Sequence, residues 1–155
     1  MKRKNIVKAH LVATIVAVLT ILTFFSTSLF AEIKGDEALI KSVKAFILYA
    51  LPIMIIAMPA LKITGDKLVG KSKNPIILAK AKRMKFVMIN GICLVSLAIF
   101  LYYRSHYQTI DGVFLVAQIA EFVFGLANLT LIFINAKIGM QLSGKMKKDI
   151  KTIKK

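Results

Sequence analysis

The chain has 155 residues, of which 57% are hydrophobic, and its mean hydropathy is +0.72. A soluble domain of this length could not bury so much apolar surface, which excludes an ordinary soluble globular protein. The formal net charge of +16 does not indicate nucleic-acid binding, because the basic residues flank apolar segments and form no aromatic-interleaved polar surface.

Four apolar stretches predict an all-α integral membrane bundle of four transmembrane helices. In chain order they cover residues 11–31, 45–61, 86–103 and 113–136. Each is close to the ~17–25 residues that a helix needs to cross the hydrocarbon core of a bilayer. We therefore expect residues 1–155 to form one transmembrane domain, in which 137–155 is a polybasic cytoplasmic tail.

The basic residues predict the orientation of this bundle. Of the 23 Lys and Arg residues, 19 lie in segments 2–8, 62–85 and 137–155, together with only two acids, Asp66 and Asp149. Positive charge collects on the cytoplasmic side of membrane proteins, so we expect both termini and the middle loop to lie in the cytoplasm.

Local signals predict where the helices begin. Asp36 is typical of the residue that caps the start of a helix, and Asn74 followed by Pro75 is typical of a second such start. Pro52 and Pro59 lie on one face of the second span and predict kinks there. The first apolar stretch exceeds the ~7–15 residues of a signal-peptide core, so we expect an uncleaved helix.

The fourth stretch carries polar residues on one helical face. These residues, spaced for a single stripe, are Gln118, Glu121, Gly125, Asn128 and Asn135. Glu121 is expected near the centre of the bilayer, where an ionised carboxylate costs at least ~2.5 kcal/mol on insertion scales. The stripe must therefore face protein or water, and Lys44 is the nearest possible charge partner by depth.

Two interpretations of this stripe remain open. In one, the polar side chains pack internally or against the helices of a partner, and the protein is a non-enzymatic accessory or interaction subunit. In the other, the protein is a small oligomeric channel or carrier for protons, ions or solutes, in which Glu121 titrates and Gln118 and Asn128 line the path. We expect the first, as a homo-oligomer or as a subunit of a larger membrane complex.

A redox or metal-binding subunit is a further alternative. Thioether and thiol groups, which suit Cu(I), occur at Met54, Met58, Met84, Met88 and Cys93. Methionine is also a common filler of apolar gaps. His10 and His106 are expected about the ~30 Å core thickness apart, too far to ligate one haem iron within a protomer. We expect no cofactor and no metal, and because no catalytic motif is present we expect no enzymatic activity.

Basic residues beside the apolar stretches predict contact with anionic lipid, because long cationic side chains reach along the membrane interface to headgroups. The residues expected to bind headgroups are Lys80, Lys82, Arg83, Lys85, Lys145, Lys147 and Lys148.

Several short motifs in the second half of the chain are similar to motifs of a known family. They are Lys82-Arg83-Met84, Asn90-Gly91, Gln118-x-x-Glu121, Asn128-Leu129-Thr130-Leu131 and Asn135. In these strings the chain resembles an uncharacterised family of small four-helix bacterial inner-membrane proteins. The resemblance implies a bacterial inner-membrane setting and implies no activity.

Overall fold

The computed structural model describes residues 3–142 and Gly144, and within that part the chain forms four helices. They are α1 (Arg3–Lys34), α2 (Glu37–Val69), α3 (Pro75–Tyr107) and α4 (Gly112–Leu142). Each is long and apolar enough to cross a membrane, and each extends beyond its predicted span at both ends. The prediction of an all-helical fold with four long apolar helices is confirmed. Most of the predicted polybasic tail, including Lys145, Lys147 and Lys148, lies outside the described residues.

The two predicted helix starts are confirmed. The Asp36 carboxylate accepts a hydrogen bond from the Ala38 N–H at 2.9 Å, and the Asn74 side chain accepts one from the Ile76 N–H at 2.9 Å. These bonds satisfy backbone donors that the first turn of a helix leaves unpaired. Helix α2 runs without interruption through Pro52 and Pro59, whose side chains lie on its outward face.

The four helices pack in the ring order α1, α2, α3, α4. Consecutive helices share long contacts, α4 closes against α1 along a shorter seam, and the described parts of α2 and α4 are diagonal neighbours without close backbone contact. We call the end that holds the start of α1, the α2–α3 connection and the end of α4 the basic end. The α1–α2 and α3–α4 connections form the opposite end.

An ion pair ties α3 to the start of α4 at the opposite end. The Arg104 guanidinium donates to both carboxylate oxygens of Asp111, at 2.6 and 3.3 Å. The same carboxylate accepts hydrogen bonds from the N–H groups of Val113 and Phe114, each at 3.1 Å. The bond from Arg104, with help from these backbone donors, lowers the pKa of Asp111 below its ordinary value of 3.8.

We expect the pH dependence of stability to report this interaction. A carboxyl whose pKa is lower in the folded state stabilises that state fully above its unfolded pKa, and the effect is lost as the pH falls through the folded pKa. The Asp111→Asn variant should therefore melt below wild type at pH 6. The difference should shrink once the pH falls below about 3.8, the ordinary value for this carboxyl. Thermal melting of both proteins in detergent from pH 3 to 7 measures it, and a difference that stays constant with pH would contradict the assignment.

Candidate functional site

Lys44 lies inside the bundle. Its side chain is 1% exposed, and it shares the inward face of α2 with the buried residues Ile40, Ile47 and Leu51. Its ammonium donates a hydrogen bond to the Ser28 hydroxyl of α1 at 3.1 Å and another to a Glu121 carboxylate oxygen at 2.8 Å. Depth predicted Lys44 as the nearest possible charge partner of Glu121, and its long side chain crosses the interior to that residue on the diagonal helix.

Glu121 receives two donors at one oxygen. Besides Lys44, the side-chain amide of Gln118 donates to the same carboxylate oxygen at 2.9 Å. The Glu121 side chain is 12% exposed, and Gln118 is completely buried. The two residues lie about 10–14 Å inward from the opposite-end starts of α2 and α4, at ~1.5 Å per residue. The carboxylate that a membrane interior penalises is therefore matched by a buried cation.

A second carboxylate completes the site. Glu32 of α1 is half-buried and lies close enough to Lys44 and Glu121 for both of their charges to act on it. Its Oε1 atom is buried and has no hydrogen-bond partner among the described residues. We name Glu32, Lys44 and Glu121 the charge cluster. It brings two carboxylates and one ammonium together, and its net charge is −1 when all three groups are ionised.

Sequence reasoning missed Glu32 because it was assigned to an exposed loop after the first span. Its spacing of four residues from Ser28 is the feature of the sequence that could have identified Glu32 as part of the site. Residues four apart lie on the same face of a helix, and the structure continues α1 to Lys34. Glu32 is therefore one turn beyond Ser28 on the face that meets Lys44.

An apolar cavity of about 40 Å³ lies next to the charge cluster, in the middle of the bundle. All four helices line it, and Glu121 is its one charged lining residue. Its volume exceeds the about 10–15 Å³ that one water molecule needs, while Glu121 is the one side chain of its lining that can hydrogen-bond to water. Phe25 and Phe122, an edge-to-face pair with ring centroids 5.1 Å apart, also line it where α1 meets α4.

The rest of the predicted stripe faces the interior of the same bundle. Gly125, Asn128 and Asn135 are buried, so the stripe runs from the charge cluster to the basic end. Asn128 is completely buried, and neither its amide nitrogen nor its oxygen has a hydrogen-bond partner within the described residues. The polar face of α4 thus packs within its own bundle and leaves no polar stripe on the outer surface.

The basic residues of α3 divide between two environments. Lys82 and Lys85 are exposed on the outward face, where headgroup contact was expected. Lys80 and Arg83 are half-buried, because they flank the inward face that carries Met84 and Val87. The Arg83 Nε donates to the Asn135 side-chain oxygen at 2.9 Å, so this residue turns towards α4.

The methionines form part of the apolar core. Met54, Met58 and Met84 are buried in one cluster with Ala, Leu, Ile and Val side chains, and Met88 packs against it. Cys93 is half-buried and has no disulfide. His10 and His106 lie at opposite ends of the bundle: the His10 Nδ1 is 2.9 Å from the Thr64 hydroxyl, and His106 stacks on Tyr102. Among the described residues, no group of three His, Cys, Asp or Glu residues could hold a metal ion.

Comparison with known proteins adds no relative. No protein-family model matches the sequence, and neither the search of curated proteins nor the search of solved structures found a match.

The charge cluster predicts that removing Lys44 and removing Glu121 lower the free energy of unfolding by different amounts. Lys44→Met leaves two carboxylates without a cation and should lower the free energy of unfolding by about 3–5 kcal/mol, the range for breaking a buried ion pair. Glu121→Gln should cost less, because the Glu32 carboxylate remains close enough to Lys44 for their charges to attract. Reversible unfolding in mixed micelles measures both values.

The matched control is Lys41→Met, which removes an exposed lysine of the same helix. Its partner Glu37 is 3.8 Å away and also exposed, so its loss should change the free energy of unfolding by at most about 1 kcal/mol. Equal costs for Lys44→Met and Glu121→Gln would contradict a role for Glu32 in the cluster.

Proposed function

We propose that the protein is a small multi-pass membrane carrier or channel that binds and exchanges a proton at the charge cluster. One observation supports this most directly. Glu32 presents a buried carboxylate oxygen without a hydrogen bond beside a Lys44–Glu121 pair that is already complete. A structural ion pair needs no second carboxylate, and a second one leaves a negative charge uncompensated in a medium of low dielectric.

The charge balance favours uptake of one proton. With all three groups ionised the cluster carries −1, and burying an unpaired charge is far more costly than neutralising it. One proton bound at the cluster restores neutrality, and when Glu32 takes it, Lys44 remains paired with Glu121.

Polar groups on both sides of the cluster support a path through the bundle. Glu32 lies near the end of α1, within reach of the opposite end. On the other side lie the cavity beside Glu121 and then Asn128, about 10 Å further along α4 at ~1.5 Å per residue. Asn135 follows after another two turns, next to Arg83 at the basic end. An amide such as that of Asn128 can both donate and accept a hydrogen bond.

The alternative is a non-enzymatic accessory or interaction subunit, in which the polar stripe packs internally or against the helices of a partner. The stripe lies inside its own bundle, so only the apolar outer faces remain for a partner helix or a second copy. The proposed reaction moves a proton and breaks no covalent bond in a substrate, so no enzymatic activity is proposed.

The proposed setting is a bacterial inner membrane with the basic end in the cytoplasm. The charge asymmetry supports this orientation, because 19 of the 23 basic residues belong to segments at that end. Lys82 and Lys85, exposed on α3, are placed to contact anionic headgroups there. The charge cluster then lies in the half of the membrane that faces away from the cytoplasm.

Proton flux in liposomes tests the proposal. Purified protein is reconstituted with a pH-sensitive dye inside, and a potassium diffusion potential drives proton entry. Wild type should acidify the interior, and Glu121→Gln should reduce the rate to that of protein-free liposomes while folding and oligomeric state stay intact. The matched control is Glu37→Gln, which removes an exposed acid near the same end and should retain the wild-type rate. Wild-type flux no faster than that of protein-free liposomes, or full flux in Glu121→Gln, would refute the proposal.

A further inference from the structure

Three cationic or titratable side chains lie near one another at the basic end. His10 comes from α1, and Lys80 and Arg83 come from the first turns of α3. Lys80 lies close enough to both of the others for their charges to interact. All three are half-buried, unlike Lys82 and Lys85, which point outward from the same turns of α3.

Helix α4 leaves space for the Lys80 ammonium. A Cβ atom at Gly139 would lie 2.8 Å from the Lys80 Nζ, closer than two such atoms can approach. The glycine therefore lets the ammonium rest against the backbone of α4. Lys80 has no ion pair or side-chain hydrogen bond in the part of the chain that the structure describes.

Arg83 is held in one orientation. Its Nε donates to the side-chain oxygen of Asn135 at 2.9 Å, and the amide nitrogen of that asparagine lies 3.5 Å from the Lys80 carbonyl oxygen. The bond uses one of five donors of the guanidinium, and the terminal amino groups have no partner among residues 3–142. A guanidinium fixed at Nε can present its other donors as a fork, the geometry that matches oxyanions.

His10 is also fixed by a hydrogen bond. The His10 Nδ1 lies 2.9 Å from the Thr64 hydroxyl oxygen, and that hydroxyl donates to the Ala60 carbonyl oxygen at 2.6 Å. The other ring nitrogen, Nε2, lies on the side of the imidazole away from Thr64. The ring borders Gly65, where a Cβ would lie 3.6 Å from its Cε1 atom.

No carboxylate balances these charges within the described residues. Asp66, the acid nearest in the chain, forms an ion pair with Lys62 of its own helix. Two half-buried cations that repel each other are unfavourable unless an anion lies between them. The fixed guanidinium, the ammonium over Gly139 and the adjacent imidazole therefore have the chemistry of an anion site.

We propose that Lys80 and Arg83, with His10 beside them, form an interhelical binding site for a phosphate-type oxyanion. The phosphate can belong to an anionic lipid headgroup, since the site lies near the end of the apolar span, or to a free phosphate. This site is independent of the charge cluster and differs from diffuse headgroup attraction, because it depends on two inward-facing residues of α3 and not on the outward-facing ones.

The test compares inward and outward lysines of the same helix. Protein in phosphatidylcholine nanodiscs is titrated in one arm with phosphatidylglycerol and in the other with inorganic phosphate, against chloride at equal ionic strength. The midpoint of the rise in melting temperature gives the apparent affinity. Lys80→Gln and Arg83→Gln should each lower that affinity by about tenfold or more, as expected for one lost charge-assisted hydrogen bond. Lys82→Gln and Lys85→Gln should leave it unchanged.

Gly139→Ala provides a second, milder variant. Its methyl group must displace the Lys80 Nζ, the far end of a flexible side chain, so the fold should persist while the site is disturbed. It should lower the apparent affinity without removing any charge. A response only to phosphatidylglycerol assigns the site to lipid, and a response to phosphate assigns it to the free anion. No response in either arm, or equal losses for Lys80→Gln and Lys82→Gln, would overturn the proposal.

Discussion

The ion pair between Lys44 and Glu121 constrains the rest of this bundle. It joins α2 to α4, two diagonal helices whose backbones do not touch within the described residues, and Ser28 adds α1 to the same contact. An ammonium that is 1% exposed in an apolar bundle must keep its partners, because losing one leaves an unpaired buried charge. The rotation of α1, α2 and α4 about their own axes is therefore linked to a single side chain. Apolar packing alone would tolerate several rotations of such uniformly hydrophobic helices.

Because Lys44 and Glu121 already form a pair, the presence of Glu32 near them is informative about function. A buried Lys–Glu pair is neutral and complete, and by itself it is a structural element. Adding a carboxylate beside it changes the character of the site, because the cluster then has one more acid than base. Under the proposed function its neutral form contains an exchangeable proton, and the buried amide of Asn128, which has no hydrogen-bond partner among the described residues, lies further along α4. In that proposal, structural stability and proton binding depend on the same three side chains.

Much of this architecture could be predicted from the sequence. The apolar stretches, the caps at Asp36 and Asn74 and the polar stripe of α4 follow from local periodicity and hydrogen-bonding preferences, which depend only on neighbours in the chain. Depth along the helices pointed to Lys44 as the nearest cation to Glu121. The depth of a residue along its helix does not determine how that helix is rotated about its own axis. The sequence therefore left open whether the stripe faces its own bundle, and Glu32 lay just beyond the predicted first span, which ends at residue 31. The inward turn of Lys80 and Arg83 depends on Gly139 and Asn135 of a distant helix, which no local pattern reveals.

The most direct test of the account is to count protonated carboxyl groups. The chain contains three glutamates, Glu32, Glu37 and Glu121, so labelling glutamate side chains with carbon-13 isolates them in an infrared spectrum. The account predicts the carbonyl stretch of one protonated glutamic acid per chain at pH 7 in membranes. That band should disappear in Glu32→Gln and in Glu121→Gln, because either change leaves the cluster with one carboxylate and one ammonium, and it should persist in Glu37→Gln. A wild-type spectrum in which all three glutamates are ionised at pH 7 would contradict the proposal that the charge cluster holds an exchangeable proton.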